Sequence, residues 1–315
     1  MLSASMALTA CATTPPPAGE PAILDTDIGG DIDDAWALMM LLRTPALSLK
    51  LVSTDGGATL YRARVAAKIL DACGAGHVPI SLGIDPSNPG LQQASWLGEY
   101  DLAGYPGPVH RDGASALIET ILASPTRVTV ISIGPATTLA AALRREPRIA
   151  ARARFVGMYG SVRRGMPNDP EPIAEWNVKQ DPAALRAIFA APWECTITPL
   201  DTCAQVVLDG ADYQRVRASN DPFAKLILAQ YEAWRGHADW LGADVDPARN
   251  TSTLFDCTAI ELAHNESLFE IETLPLIVTD DGFTRIDPAG RPVRCATAWR
   301  DLAAFKAKLA ETFAP

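Results

Sequence analysis

The chain lacks what marks several large functional classes. It has 27 lysines and arginines against 37 acids, a formal net charge of −10, so the basic face that nucleic-acid binding needs is missing. No run of about 20 apolar residues occurs, the length a helix needs to cross a bilayer. The six cysteines include no C-x-x-C pair, which argues against zinc and thioredoxin-type chemistry. Five of them, Cys73, Cys195, Cys203, Cys257 and Cys295, lie in the body of the chain. Cys195 and Cys203 could pair after export, but their odd count favours buried thiols. Apolar residues are not scarce: 315 residues at 48% hydrophobic can bury a large core and exclude disorder for most of the length.

The first 21 residues differ from the rest. Leu8-Thr9-Ala10-Cys11 resembles the bacterial lipoprotein processing box, in which the cysteine is lipidated, although the stretch before it is short and carries no Lys or Arg. Thr13 to Pro21 then reads as a Pro-rich tether between lipid and folded domain. The expectation is a periplasmic or membrane-anchored lipoprotein, or a cytoplasmic protein if the match is accidental. Residues 22–315 are expected to form one domain.

The most informative stretch runs from Ile23 to Leu42, I-L-D-T-D-I-G-G-D-I-D-D-A-W-A-L-M-M-L-L. It reads as a strand, a loop turned by Gly29 and Gly30, and a buried helix with acids in its first turn. Asp25, Asp27, Asp31, Asp33 and Asp34 exceed what capping and the helix dipole require. Their mutual repulsion would cost several kcal/mol at an effective dielectric of roughly 20 without a counter-ion. All-oxygen ligands point to a hard cation, Ca²⁺ or Mg²⁺.

Beyond it, apolar runs alternate with helical patterns. Strands are expected at Ala22–Thr26, Leu47–Thr54, Val78–Leu82, Val128–Ile133, Phe155–Tyr159 and Cys195–Pro199. Helices are expected at Asp34–Leu42, Tyr61–Cys73, Ala114–Ala123, Ala136–Arg144 and Pro182–Ala190. That alternation predicts an α/β fold: an open, mainly parallel sheet with helices on both faces. The last third adds a long helix over Pro222–Leu241, another near Asp256, a small hairpin from Leu274–Val278 and Arg291–Thr297, and a closing helix at Leu302–Phe313.

Ligands bind such sheets beyond the carboxyl ends of the strands, and polar motifs follow the predicted strands. Asp25-Thr26-Asp27-Ile28-Gly29 with Asp33-Asp34-Ala35, Gly134-Pro135-Ala136-Thr137, Glu175-Trp176-Asn177, Pro199-Leu200-Asp201 and a late Asp256 occur in this order. Together they resemble the inosine-uridine preferring nucleoside hydrolase family, with two more residues in the first motif than its shortest version. The resemblance implies a Rossmann-like fold and hydrolysis of the N-glycosidic bond of a ribonucleoside with a bound Ca²⁺. It implies Asp27, Asp34, the Ile133 carbonyl and Asp256 as metal ligands, and Asp27 as the base that activates water. Asp33, Glu175, Asn177 and Asn168 would hold the ribose, while carboxylates stabilise an oxocarbenium-like transition state. Dimers or tetramers are also implied.

Two positions depart from the family pattern. Phe255 stands where many members have the histidine associated with protonating a departing purine, and Gly57 stands where an asparagine is common. His110, His237 and Trp176 are the candidates for a lid or leaving-group role. Trp176, Trp234 and Trp240 could each stack on a base or fill the core, and the core is favoured for any one of them. Competing readings are a nucleoside- or sugar-binding lipoprotein that has lost turnover, and a haloacid-dehalogenase-like phosphohydrolase. The second fits poorly, because Gly29-Gly30 follow Asp27 and the acids continue into the helix.

Overall fold

The computed structural model describes residues 19–84, 91–237 and 245–315. Cys11, Trp240 and Leu241 lie outside them. Among the described residues one sheet contains ten strands: β1 (Glu20–Thr26), β2 (Leu47–Thr54), β3 (Ile80–Leu82), β4 (Val109–His110), β5 (Val128–Ser132), β6 (Ala153–Met158), β7 (Cys195–Thr198), β8 (Phe269–Val278), β9 (Thr284–Ile286) and β10 (Arg291–Trp299). Their order is β4-β3-β2-β1-β5-β6-β7-β10-β8-β9, with parallel pairing from β4 through β7 to β10.

The sheet is covered on both faces, which is why its strands read as continuous apolar runs rather than alternating ones. Along β1, Ala22 and Leu24 join one core and Ile23 the other. The helix Asp33–Leu42 is buried from Asp33 to Leu41, because it lies between the sheet and the helices Cys257–Leu262 and Pro222–Trp234. An all-round apolar helix has no other stable place in a globular domain. Strand order reverses between β1 and β5, and the acid loop after β1 opens at that switch point, where α/β sheets bind ligands.

Several elements differ from expectation for local reasons. The strand expected from Val78 pairs only from Ile80, because Pro79 has no N–H and the Val78 N–H closes a turn on the Ala75 carbonyl at 3.0 Å. β4 is two residues long, too short for any periodicity to announce. The expected C-terminal hairpin is the rim of the main sheet: β8 and β10 are antiparallel to each other, and β10 runs parallel to β7. The helix from Pro222 ends at Trp234 and tightens into a 3₁₀ turn at Arg235–His237. The five described cysteines are free thiols, so no Cys195–Cys203 disulfide forms.

The C-terminal helix Leu302–Phe313 closes one face, with Phe305, Leu309 and Phe313 buried. Phe313 packs edge-on against Trp36 at 4.5 Å between centroids. Phe313→Ala is expected to lower stability by roughly 3–5 kcal/mol, the range for a buried phenylalanine. Urea unfolding should show the midpoint falling with the slope unchanged.

Candidate functional site

Three carboxylates from distant parts of the chain converge beyond the strand ends. Asp33, Asp34 and Asp256 place one oxygen each within 4.8 Å of one another, at 4%, 3% and 3% exposure. Asp33 and Asp34 sit in the first turn of the helix after β1, and Asp256 immediately precedes the helix Cys257–Leu262. The Asp256 N–H donates to Asp33 Oδ2 at 3.4 Å, and Thr26 Oγ1 donates to Asp34 Oδ1. Asp33, which the resemblance implied for the sugar, thus packs as a third member of the carboxylate group.

Burial, reinforced by mutual repulsion, holds all three well above the usual carboxylate range. Asp27, half-buried at the end of β1, stands outside the 4.8 Å group but is near enough to raise each of them. Burial raises Asp27 too, while the Arg62 guanidinium pulls it down. Asp31 is pushed up to about 8, first by burial and then by Asp34 and Asp27. Asp55 rises to about 6 through burial, although Gly56 N–H and Thr138 N–H donate to it at 2.9 and 3.0 Å.

Two glycines let Asp27 fit. Gly56 has φ +72°, and a Cβ there would lie 2.8 Å from Asp27 Cβ. A Cβ on Gly134 would lie 2.9 Å from the Asp27 nitrogen. The backbone must therefore approach this acid closely from β2 and from β5, and only glycine allows both.

Arg62 was not singled out in the sequence. It is 2% exposed and donates to the carbonyls of Gly57, Gly56 and Ile28 at 2.7, 3.0 and 3.2 Å. The only available sign was an arginine on the inner face of an otherwise amphipathic helix. Its nitrogens are directed at carbonyls rather than at the carboxylates, so it ties the two loops together and offsets only part of the acidic charge. A buried all-oxygen set with that charge left over suits a hard divalent cation.

The Ile133 carbonyl accepts from Asn177 Nδ2 at 3.0 Å, and the same amide reaches the Met158 carbonyl at 3.3 Å. Asn177 is therefore placed to orient that carbonyl. Glu175 is 3% exposed and caps its helix, accepting from Asn177, Gly160 and Val178 N–H groups at 2.8, 3.0 and 3.2 Å. Burial pushes it up to about 7 despite those donors. Asp201 similarly accepts from Val162 and Arg163 N–H groups, both at 2.9 Å, and braces the loop after β6.

The remaining candidates lie at exposed positions, on the outermost strand or in the core. Asn168 is exposed beside a turn in which Asp169 N–H donates to the Met166 carbonyl at 2.9 Å. Trp176 is 59% exposed, not in the core as favoured from the sequence, because it opens a short helix whose buried residues are Asn177 and Val178. His237 is exposed at the end of its 3₁₀ turn, and His110 is half-buried on β4, the outermost strand, three places from β1. Phe255 is buried in the core. Trp234 is 1% exposed and stacked on Tyr231 at 6.0 Å, so it is a core residue.

Comparison with known proteins agrees with this geometry. The model of the inosine-uridine preferring nucleoside hydrolase family matches residues 22–305. An inosine-uridine preferring nucleoside hydrolase from Leishmania major is 31% identical, covering 65% of this chain and 68% of its own. A non-specific ribonucleoside hydrolase from Salmonella enteritidis is 28% identical over 93% and 97%. A solved plant nucleoside hydrolase superposes with a TM-score of 0.76 at 23% identity, covering 94% and 99%. A Bacillus anthracis inosine-uridine preferring nucleoside hydrolase gives 0.72 at 22%, covering 93% and 99%. With the match running from the first residues of the central strand into the closing helix, the chain belongs to the inosine-uridine preferring nucleoside hydrolase family.

Proposed function

We propose that this N-glycosyl hydrolase cleaves a ribonucleoside to free base and ribose, using a calcium ion held by Asp27, Asp34, Asp256 and the Ile133 carbonyl. The observation that carries the reading is the convergence of Asp33, Asp34 and Asp256 within 4.8 Å in a family member. Bound there, a hard dication supplies charge compensation, anchors vicinal hydroxyls and acidifies a water.

The chain's own groups do the rest. Asp27 accepts a proton from the attacking water as that oxygen bonds to the anomeric carbon. The bond from that carbon to the base nitrogen breaks, and its electron pair leaves with the base. Asp33 and the neighbouring acids stabilise the positive charge developing on the sugar, in a site where water is largely excluded. Asn177 holds the Ile133 carbonyl in position, and Glu175 fixes the turn that carries Asn177. Glu175, Asn177 and Asn168 are the proposed ribose contacts. Retention of the acids Asp27, Asp33, Asp34 and Asp256 favours turnover over a binder that has lost it. The dehalogenase-like alternative is set aside by the family match. We further propose a lipid tether at Cys11, a periplasmic or membrane-anchored location and a homo-oligomer, each following from the sequence and the resemblance.

Asp27→Asn should lower kcat on the order of 10²–10⁴-fold, the usual contribution of a general base. Asp256→Asn should abolish turnover yet raise the melting temperature of the metal-free protein by about 1–2 °C for each kcal/mol of repulsion relieved. A variant that keeps wild-type turnover would sink the assignment of that residue.

Metal-free stability should fall as pH rises. The folded-state values of Asp55, Glu175 and Asp31 are raised to about 6, 7 and 8, so the folded chain binds more protons than the unfolded one above about pH 4. The stabilisation is complete below that point and is lost through pH 8. Calorimetry in chelator between pH 5 and 8 should record the decline, and saturating Ca²⁺ should flatten it. A rising melting temperature in chelator would contradict the charge state assigned to the site.

Buried Phe255 offers no proton to a leaving base, which favours substrates whose base departs as a delocalised anion, such as uracil. Uridine should be cleaved faster than inosine. Equal rates of uracil and hypoxanthine release, unchanged in His237→Ala, would refute this preference.

A further inference from the structure

The first acid loop carries two residues more than the shortest family version, and it is held in an unusual way. Three consecutive carbonyls of the extended turn each receive a side-chain donor from elsewhere in the chain. Tyr61 Oη donates to Gly29 O at 3.1 Å, Trp234 Nε1 to Gly30 O at 3.0 Å, and Gln93 Nε2 to Asp31 O at 2.7 Å. The clamps are themselves linked, since Gln93 N–H donates to Tyr61 Oη at 3.0 Å and Gln230 Nε2 donates to Gln93 Oε1 at 2.5 Å. Gln93 and Gln230 are fully buried and Trp234 nearly so. A glycine-containing loop alone would sample many conformations. Three donors aimed at successive carbonyls select one.

We infer that Tyr61, Gln93 and Trp234 are positioning residues, which lock the 29–31 turn so that Asp33 and Asp34 face Asp256 in a geometry ready for the cation. The lock also joins the acid loop to the helix Pro222–Trp234, which contributes Trp234 and Gln230, so a shift of that helix changes the carboxylate spacing. Because the clamp orders a turn rather than contacts substrate, it acts on ion affinity and on kcat through the acids. This inference rests on the proposed function for its kinetic effect, but not for its effect on the loop itself.

The test uses Tyr61→Phe, which removes the hydroxyl and keeps the ring, and the double variant Tyr61→Phe/Trp234→Phe, which also removes the indole N–H and puts a smaller ring in its place. Tyr213→Phe is the matched control, since it deletes a buried hydroxyl bond of the same kind, to the Pro247 carbonyl at 2.7 Å, away from the acid loop. Three readouts are compared in the full chain: hydrogen–deuterium exchange of the peptide covering residues 27–35, the Kd for Ca²⁺ by calorimetry, and kcat and KM on uridine. At roughly a factor of three to ten for each neutral hydrogen bond lost, the double variant should exchange about tenfold faster over 27–35 and bind Ca²⁺ about tenfold more weakly. Its kcat should fall by a similar factor with KM little changed, and Tyr61→Phe should fall between. Tyr213→Phe should lower the melting temperature without moving any of the three. Exchange over 27–35 in the double variant equal to that in Tyr213→Phe would overturn the inference, as would faster exchange with unaltered Ca²⁺ affinity. If wild type released no base from any nucleoside, the proposed function would fail while the exchange comparison still decided the clamp.

Discussion

The structure is organised around repulsion between carboxylates. Acids from the loop after β1 and from the start of the helix at Asp256 are pressed into a space where water cannot screen them. At an effective dielectric near 20, one pair at such a separation repels by a few kcal/mol, a large fraction of the net stability of a domain. The fold supplies only partial relief, through proton uptake and one buried arginine. On the proposed reading, a bound cation would relieve this repulsion and so couple ion binding to stability.

Much of the surrounding architecture serves to hold that cluster in place. Strand order reverses between β1 and β5, so the acid loop emerges at the switch point of the sheet. Gly56 and Gly134 let two neighbouring strand ends close around Asp27. Arg62 stitches the loops after β1 and β2 together from beneath. Glu175 and Asn177 act as a pair, the first capping its helix and the second gripping the Ile133 carbonyl. Their burial and bonding explain why polar residues occupy positions that would otherwise be core.

Phe255 stands where the resemblance places a proton donor in many relatives. Its ring is buried in the core, and on the proposed reading the site's electrostatics act on the sugar half of the reaction. His110 lies on the outermost strand and His237 on an exposed turn. On that reading, discrimination among bases comes from leaving-group stability rather than from a placed acid.

The sequence by itself determined the parallel α/β class, the helix and strand alternation, and the gathering of motifs after strands, because burial on both faces writes continuous apolar runs and because Gly, Asp and Pro punctuate the ends. It also made Asp27, Asp33 and Asp34 stand out, since five acids in ten residues have few bland explanations, while Asp256 was marked only by the resemblance. Only the tertiary structure decided which acids touch, that Asp33 joins Asp34 and Asp256, that Arg62 is the buried counter-charge, that Tyr61, Gln93 and Trp234 grip the turn, and that β10 lies parallel to β7. Those facts depend on contacts between residues 30 to more than 200 positions apart. Local patterns record which face of an element is buried, and they carry no record of what packs against it.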